Sequence, residues 1–241
     1  MPAARTRDSR NRLYQLAALF VTLAAAAAVL VAVLGSGSTS ELRPGRPVPG
    51  SAQTLSMFAG IPQRGESLGS PAAPITLEEF GDLQCPTCAQ FATEALPAIV
   101  SRYVRTGRVA LVLRPLDFIG PDSRRAASMA LALGQQDRMW QFVELMYRNQ
   151  GLENSGYVTD TYLRALASAL PGTDVGRALA QRESASVRAQ LAEAKAQARA
   201  AHLASTPSFL IARAGRPPQR FSPPLDTSSF AQALDRALAG R

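Results

Sequence analysis

The chain has 241 residues, 46% of them hydrophobic, enough for one packed domain with appendages. Its 26 Lys and Arg against 18 Asp and Glu give a formal net charge of +8, with Lys195 the only lysine. That excess is spread along the chain without an aromatic-basic stripe or a nucleic-acid motif, so no nucleic-acid partner is expected and the arginines read as a solvated surface.

In chain order, residues 1–12 carry Arg5, Arg7, Arg10 and Arg12 and are expected to be a cytoplasmic N-terminus. From Leu13 to Leu34 no charge occurs over 22 positions. A helix there, rising about 1.5 Å per residue, spans about 33 Å, the thickness of a bilayer core. A secretory signal has a shorter apolar stretch, about 7–15 residues, and no Ala-x-Ala precedes Gly35, Ser36 and Gly37. The expectation is therefore an uncleaved signal-anchor over 13–34, with cleavage near Gly35 as the alternative. The arginines then stay in the cytoplasm, and the rest of the chain lies outside the cell membrane, where disulfides persist. Residues 35–56, dense in Gly, Ser and Pro up to Gly50, read as a flexible linker without regular structure, its reach roughly 25 Å.

The segment 57–74 is expected to add a short strand or arm. "ITLEEF" (75–80) is a β-rich run, and "CAQFATEALPAIVSRYVRTG" (88–107) has helical apolar spacing with a kink at Pro97. "RVALVLRPL" (108–116) suits a buried strand, and strand–helix–strand implies a parallel pair with a crossover helix. From about 120 to 205 the pattern is helical: an alanine-rich helix from Asp122, an amphipathic one containing Trp140, Phe142, Met146 and Tyr147 as core, one capped at Thr159 or Asp160, and a long exposed helix from Asp174 to His202. "TPSFLIARAGRPPQRFSP" (206–223) predicts two strands about a turn near Gly215, and a capped helix follows from Asp226 or Thr227. No internal repeat is visible.

Both cysteines of the chain fall in "EEFGDLQCPTCAQF" (78–91). Zinc wants three or four protein ligands, and two cysteines with the single His202 leave a site short. Haem attachment needs a histidine after the second cysteine, where Ala89 stands. A structural clip across two residues removes little unfolded-state entropy. A redox dithiol remains, with no metal or cofactor expected. If a helix starts at Cys85, that thiolate faces unpaired backbone N–H groups, so Cys85 is the expected nucleophile and Cys88, one turn in, the resolving thiol. Pro86 suits the first helical turn.

This segment resembles the active site of the DsbA-like branch of the thioredoxin superfamily, in which an acid-bearing strand runs into Cys-Pro-x-Cys at a helix start. "STPSFLI" (205–211) resembles the same proteins' Thr-Pro loop. The resemblance covers about 57–241 and implies a thioredoxin-like α/β fold, β-α-β then β-β-α, with an inserted α-helical domain at about 120–205, behind one N-terminal transmembrane helix. It also implies that Pro207 is a cis proline beside the cysteines, that the backbone at Thr206 pairs a substrate strand, and that Glu79 is the buried acid serving Cys88. Thr87 stands where the strongest oxidants of the branch have histidine. The implied activity is disulfide transfer to cysteine-containing exported proteins by a membrane-anchored oxidoreductase, reset by a membrane partner of the DsbB or vitamin-K-epoxide-reductase kind. A reductase or isomerase on the same scaffold, and a redox-inactive tethered binding module, are the alternatives.

Overall fold

Ile75, Leu77 and Glu79 alternate along strand β3 (Ile75–Asp82) and point to one face of a six-stranded sheet, whereas Phe80 points to the other. The computed structural model describes residues 42–213 and 215–240, and the expected cytoplasmic N-terminus, the anchor helix 13–34 and the first part of the linker lie outside them. Among the described residues no helix is long and apolar enough to cross a membrane.

Helix α1 (Ser51–Phe58) comes first, then the two-residue strands β1 (Gln63–Arg64) and β2 (Ser67–Leu68). Strand β3 leads into a helical stretch, α2, over 86–104, and then into β4 (Val109–Leu116). Five helices follow: α3 (Pro121–Gly134), α4 (Met139–Arg148), α5 (Asp160–Ser168), α6 (Val175–Gln181) and α7 (Ala185–Ala200). The chain closes with β5 (Ser208–Arg213), β6 (Arg216–Arg220) and α8 (Thr227–Leu238). The strand order is β1-β2-β4-β3-β5-β6; β3 and β4 are parallel and the remaining pairs antiparallel. The arm expected at 57–74 is the β1–β2 hairpin, which docks on β4. At the other edge β6 is fully exposed and carries Pro217 and Pro218, residues that blunt an open edge.

Helix α2 differs from a simple kinked helix. Its α-turns at Pro86–Gln90 and Leu96–Ile99 alternate with π-turns at Phe91–Ala95 and Val100–Val104, where N–H groups of Leu96 and Arg105 reach back five residues, to Phe91 and Val100. Pro97, which has no N–H to donate, follows the first of these wide turns. The buried side of α2 meets β5 and α8 through rings: Phe91 stands 4.8 Å from Phe209 and 5.2 Å from Phe230.

The linker was expected to run to residue 56, but α1 starts at Ser51: Gly50 adopts φ 78° at its cap, and Val48, Thr54 and Phe58 are buried, Phe58 6.4 Å from Trp140. Packing against α4 overrides the composition of this stretch. The single long helix expected from Asp174 is two, α6 and α7, because the Ser184 hydroxyl accepts the Val187 N–H and starts a new helix. Helix α7 is not solely exposed, since Val187, Leu191, Ala194 and Ala198 are buried. Helix α3 starts at Pro121, leaving the Asp122 carboxylate to accept the Gly156 N–H at 2.8 Å.

Candidate active site

A strand end, a helix start and a loop bring the cysteines and the Thr-Pro pair together. After β3 the chain turns through residues 83–85, with the Cys85 N–H donating to the Asp82 carbonyl at 3.0 Å. Asp82 is fully buried, and its carboxylate accepts the N–H groups of Gln84 (2.9 Å) and Ile119 (3.0 Å), which fixes the turn. The helical insertion ties the same turn from outside. Gln150 Nε2 donates to the carbonyls of Leu83 and Cys85, and the buried Gln84 donates to Ser123 and accepts the Asn154 N–H at 2.8 Å.

Cys85 is the cap residue of α2, in extended backbone, and Pro86 is its first helical residue. Both thiols are free. Cys88 is fully buried on the inner face of the helix. The Thr206–Pro207 peptide is cis. The Thr206 carbonyl lies 3.4 Å from Cys85 Sγ and 3.1 Å from Thr87 Oγ1, and Thr87 Oγ1 is 2.9 Å from Cys85 Sγ. Thus Cys85, Thr87 and Thr206 form a triangle at the helix start. When Cys85 is a thiol its S–H donates to the Thr206 carbonyl; when it is a thiolate it can only accept, and the Thr87 hydroxyl supplies the proton.

The electrostatics of the two sulfurs are opposite. The hydrogen bond from the Cys88 thiol, aided by those from the Thr206 and Thr87 side chains and the Cys88 backbone, brings Cys85 from its ordinary value near 9 down to about 4, against the effect of burial. Burial first, then the bond given to Cys85 and the charge of Glu79, pushes the Cys88 thiol well above its ordinary value. One thiol ionises readily and the other resists.

Glu79 occupies a position on the apolar face of β3 that the alternation would give to a hydrophobic residue, paired with Leu113 on β4 and Phe209 on β5. It is buried, its Oε1 has no hydrogen-bond partner, and burial together with the charges of Glu144 and Cys85 pushes its carboxyl up to about 8. At neutral pH Glu79 therefore holds its proton, beneath the cysteines. Among the described residues no three potential ligands are grouped to hold a metal ion. His202 ends α7 and its N–H bonds the Arg199 carbonyl, as a helix-end residue does.

Two polar groups were not anticipated from the sequence. The sequence marks Thr87 only as a missing imidazole, yet its hydroxyl meets both Cys85 and Thr206. Glu144 is buried on α4, in the stripe of Trp140, Val143 and Tyr147. The available signal was a carboxylate on the face that helical spacing reserves for the core.

Comparison with known proteins gives the same fold. The thioredoxin family model matches residues 63–235. A probable disulfide bond formation protein D from Bacillus cereus is 30% identical over 158 residues, covering 64% of this chain and 72% of that protein. Among solved structures, oxidised BdbD from Bacillus subtilis superposes with a TM-score of 0.65 at 20% identity, covering 83% of this chain and 100% of the other. A thioredoxin-like oxidoreductase from Silicibacter pomeroyi gives 0.56 at 27% identity, covering 77% and 96%.

Proposed function

Because the chain belongs to the thioredoxin family, within its DsbA-like proteins, we propose that this thiol–disulfide oxidoreductase works as an oxidase, introducing disulfides into cysteine-containing exported proteins with Cys85 as nucleophile. The observation that carries this reading is the unequal pair: a Cys85 thiolate stabilised at the start of α2 beside a Cys88 thiol that resists ionisation. Stabilising the reduced form of a dithiol makes its disulfide a stronger oxidant.

In the oxidised enzyme a substrate thiolate attacks Cys85 Sγ, the Cys85–Cys88 bond breaks, and Cys88 leaves with the electron pair and takes a proton from Glu79. A second substrate thiolate then attacks the substrate sulfur of the mixed disulfide. Cys85 leaves as a thiolate, and the substrate gains a disulfide while the enzyme holds two electrons. The Thr206 carbonyl lies 3.4 Å from Cys85 Sγ, a place for backbone pairing of an extended substrate beside the reacting sulfur. Pro207 shapes that loop. The electrons pass to a membrane oxidase of the DsbB or vitamin-K-epoxide-reductase kind, and the anchor over 13–34 keeps the enzyme beside it.

Substituting each cysteine separates the roles. Cys85→Ser is expected to abolish exchange with a disulfide-bonded two-cysteine peptide, whereas in Cys88→Ser the Cys85 thiolate attacks the peptide disulfide, releases the other peptide sulfur as a thiolate and accumulates as the Cys85–peptide mixed disulfide, read by non-reducing electrophoresis and mass spectrometry. Adducts forming through Cys88 in Cys85→Ser, or unchanged turnover in both variants, contradicts the assignment.

A further inference from the structure

Glu79 is not the only buried acid near the cysteines. Glu144 on α4 is 1% exposed, its Oε1 accepts from Arg148 Nε at 2.6 Å, and its Oε2, like Glu79 Oε1, is buried without a partner. Buried carboxylate oxygens left unpaired are uncommon enough to need a reason. Tyr147, one turn beyond Glu144, brings the two elements together. A Cβ at Gly81 would stand 3.1 Å from Tyr147 Oη and 3.2 Å from Glu79 Oε1, so any larger residue would push these two polar groups back from the strand. Tyr147 Oη in turn donates to the Asp82 carbonyl at 3.4 Å.

Around Glu79 the titratable groups are Glu144 and Tyr147 from α4, Cys85 and Cys88 from α2, and Asp82 on its own strand. Its strand neighbours Leu113 and Phe209 do not titrate. The charged group facing Glu144 is Arg148. Helix α1 presents the uncharged Gln53, whose Oε1 accepts from Arg148 at 3.1 Å. Arg148 also lines an open cleft of about 480 Å³ together with Gly50, Gln53, Pro86 and Gln90, so the guanidinium has access to water. Two carboxyls in one dry region cannot both ionise cheaply. The guanidinium of Arg148 decides which one does.

We infer that Glu144, whose charged form Arg148 favours against burial, is a positioning residue of the active site: when it is ionised, its charge favours Glu79 keeping the proton that Cys88 needs when it leaves the disulfide. The inference rests on the proposed role of Glu79. During the step Cys88 leaves as a thiolate, Glu79 becomes a carboxylate as it gives up its proton, and the proton is regained from water after the step. Burial, and then the Glu144 charge, are the two largest causes that raise the Glu79 carboxyl, in accord with this order.

The test uses the full-length protein and two readouts. Infrared titration follows the protonated-carboxyl band, and quenched alkylation follows the appearance of the Cys88 thiol when the oxidised protein meets a dithiol peptide. The band titrating near pH 8 should be absent in Glu79→Gln; its persistence there would overturn the Glu79 role itself. In Glu144→Gln the band of the dithiol protein should titrate about one unit lower, and at pH about 8 the Cys88 thiol should appear several-fold more slowly when the oxidised protein meets the peptide, because a smaller fraction of Glu79 holds its proton. Glu144→Asp keeps the charge and should retain the wild-type midpoint. Glu144→Met, similar in length and apolar, carries the same expectation as Glu144→Gln and keeps the test open if glutamine is not tolerated. A Glu79 midpoint and a Cys88 rate that coincide with wild type in the folded neutral variants overturn the inference.

Discussion

Thr87 has one proton to give and two acceptors within reach, Cys85 Sγ at 2.9 Å and the Thr206 carbonyl at 3.1 Å. As Cys85 ionises, the hydroxyl turns to the sulfur, and the Thr206 carbonyl is released for another donor such as the backbone N–H of a bound strand. A hydroxyl thus does part of what an imidazole at this position would do, by a hydrogen bond instead of a full charge. Thr87→Val keeps the shape and removes the donor. It is expected to raise the Cys85 thiol pKa by about one to two units, the size of a hydrogen bond to a charged group. Thiolate absorbance against pH measures this, and a value equal to wild type would make Thr87 a bystander.

Helix α2 gains its orientation from the rings at its buried side. Phe230 on α8 is fully buried and stands 5.2 Å from Phe91, 5.2 Å from Phe209 and 5.3 Å from Phe221. Phe209 follows Pro207 by two residues, so the cluster joins the cysteine helix to the Thr-Pro loop. Phe230→Ala is expected to lower stability by about 3–5 kcal/mol, the usual cost of emptying a buried aromatic site, as measured by urea unfolding; a loss under about 1 kcal/mol would contradict this account of the cluster. These elements were legible in the sequence because β3, β4 and β5 are short apolar runs and α2 has helical spacing. Helix α1 was not, since Gly, Ser and Pro just before it describe the chain up to Gly50 and say nothing of a face packed on Trp140. The break between α6 and α7 has no Gly or Pro to mark it, only the Ser184 cap. At the site, Glu79 was marked by the resemblance, six residues before Cys85, since Glu78 and Asp82 share its strand and charge alone does not single it out. The role of Thr87 was not, because its partner Thr206 lies 119 residues away.

For the whole molecule, the shifted groups make stability depend on pH and on redox state together. Glu79 and Glu144 titrate near 8 and 7 in the folded chain against an ordinary 4.5. Folded protein holds these protons after the unfolded chain has lost them, so their contribution is fully present below about 4.5 and is lost as pH rises through 7 and 8. Cys85 runs the other way, about 4 when folded against an ordinary 9. Its contribution is full above 9 and is lost as pH falls through 4, and it exists only in the dithiol form. Denaturant unfolding should therefore show the buried-carboxyl contribution falling as pH rises through 7 and 8, while the advantage of the reduced over the oxidised form grows as pH rises from about 4 toward 9. An advantage independent of pH would contradict the Cys85 assignment. On the proposed reading, the same advantage makes the disulfide a ready electron acceptor. The equilibrium reduction potential of the full chain against glutathione, with the Cys85–Cys88 pair followed by alkylation, tests this claim most directly. The account predicts a value at the oxidising end, above about −200 mV and toward the −120 mV of a strong disulfide donor. A value near −270 mV, where thioredoxin lies, would mean that the pair works as a reductant and would contradict the proposed direction of electron flow.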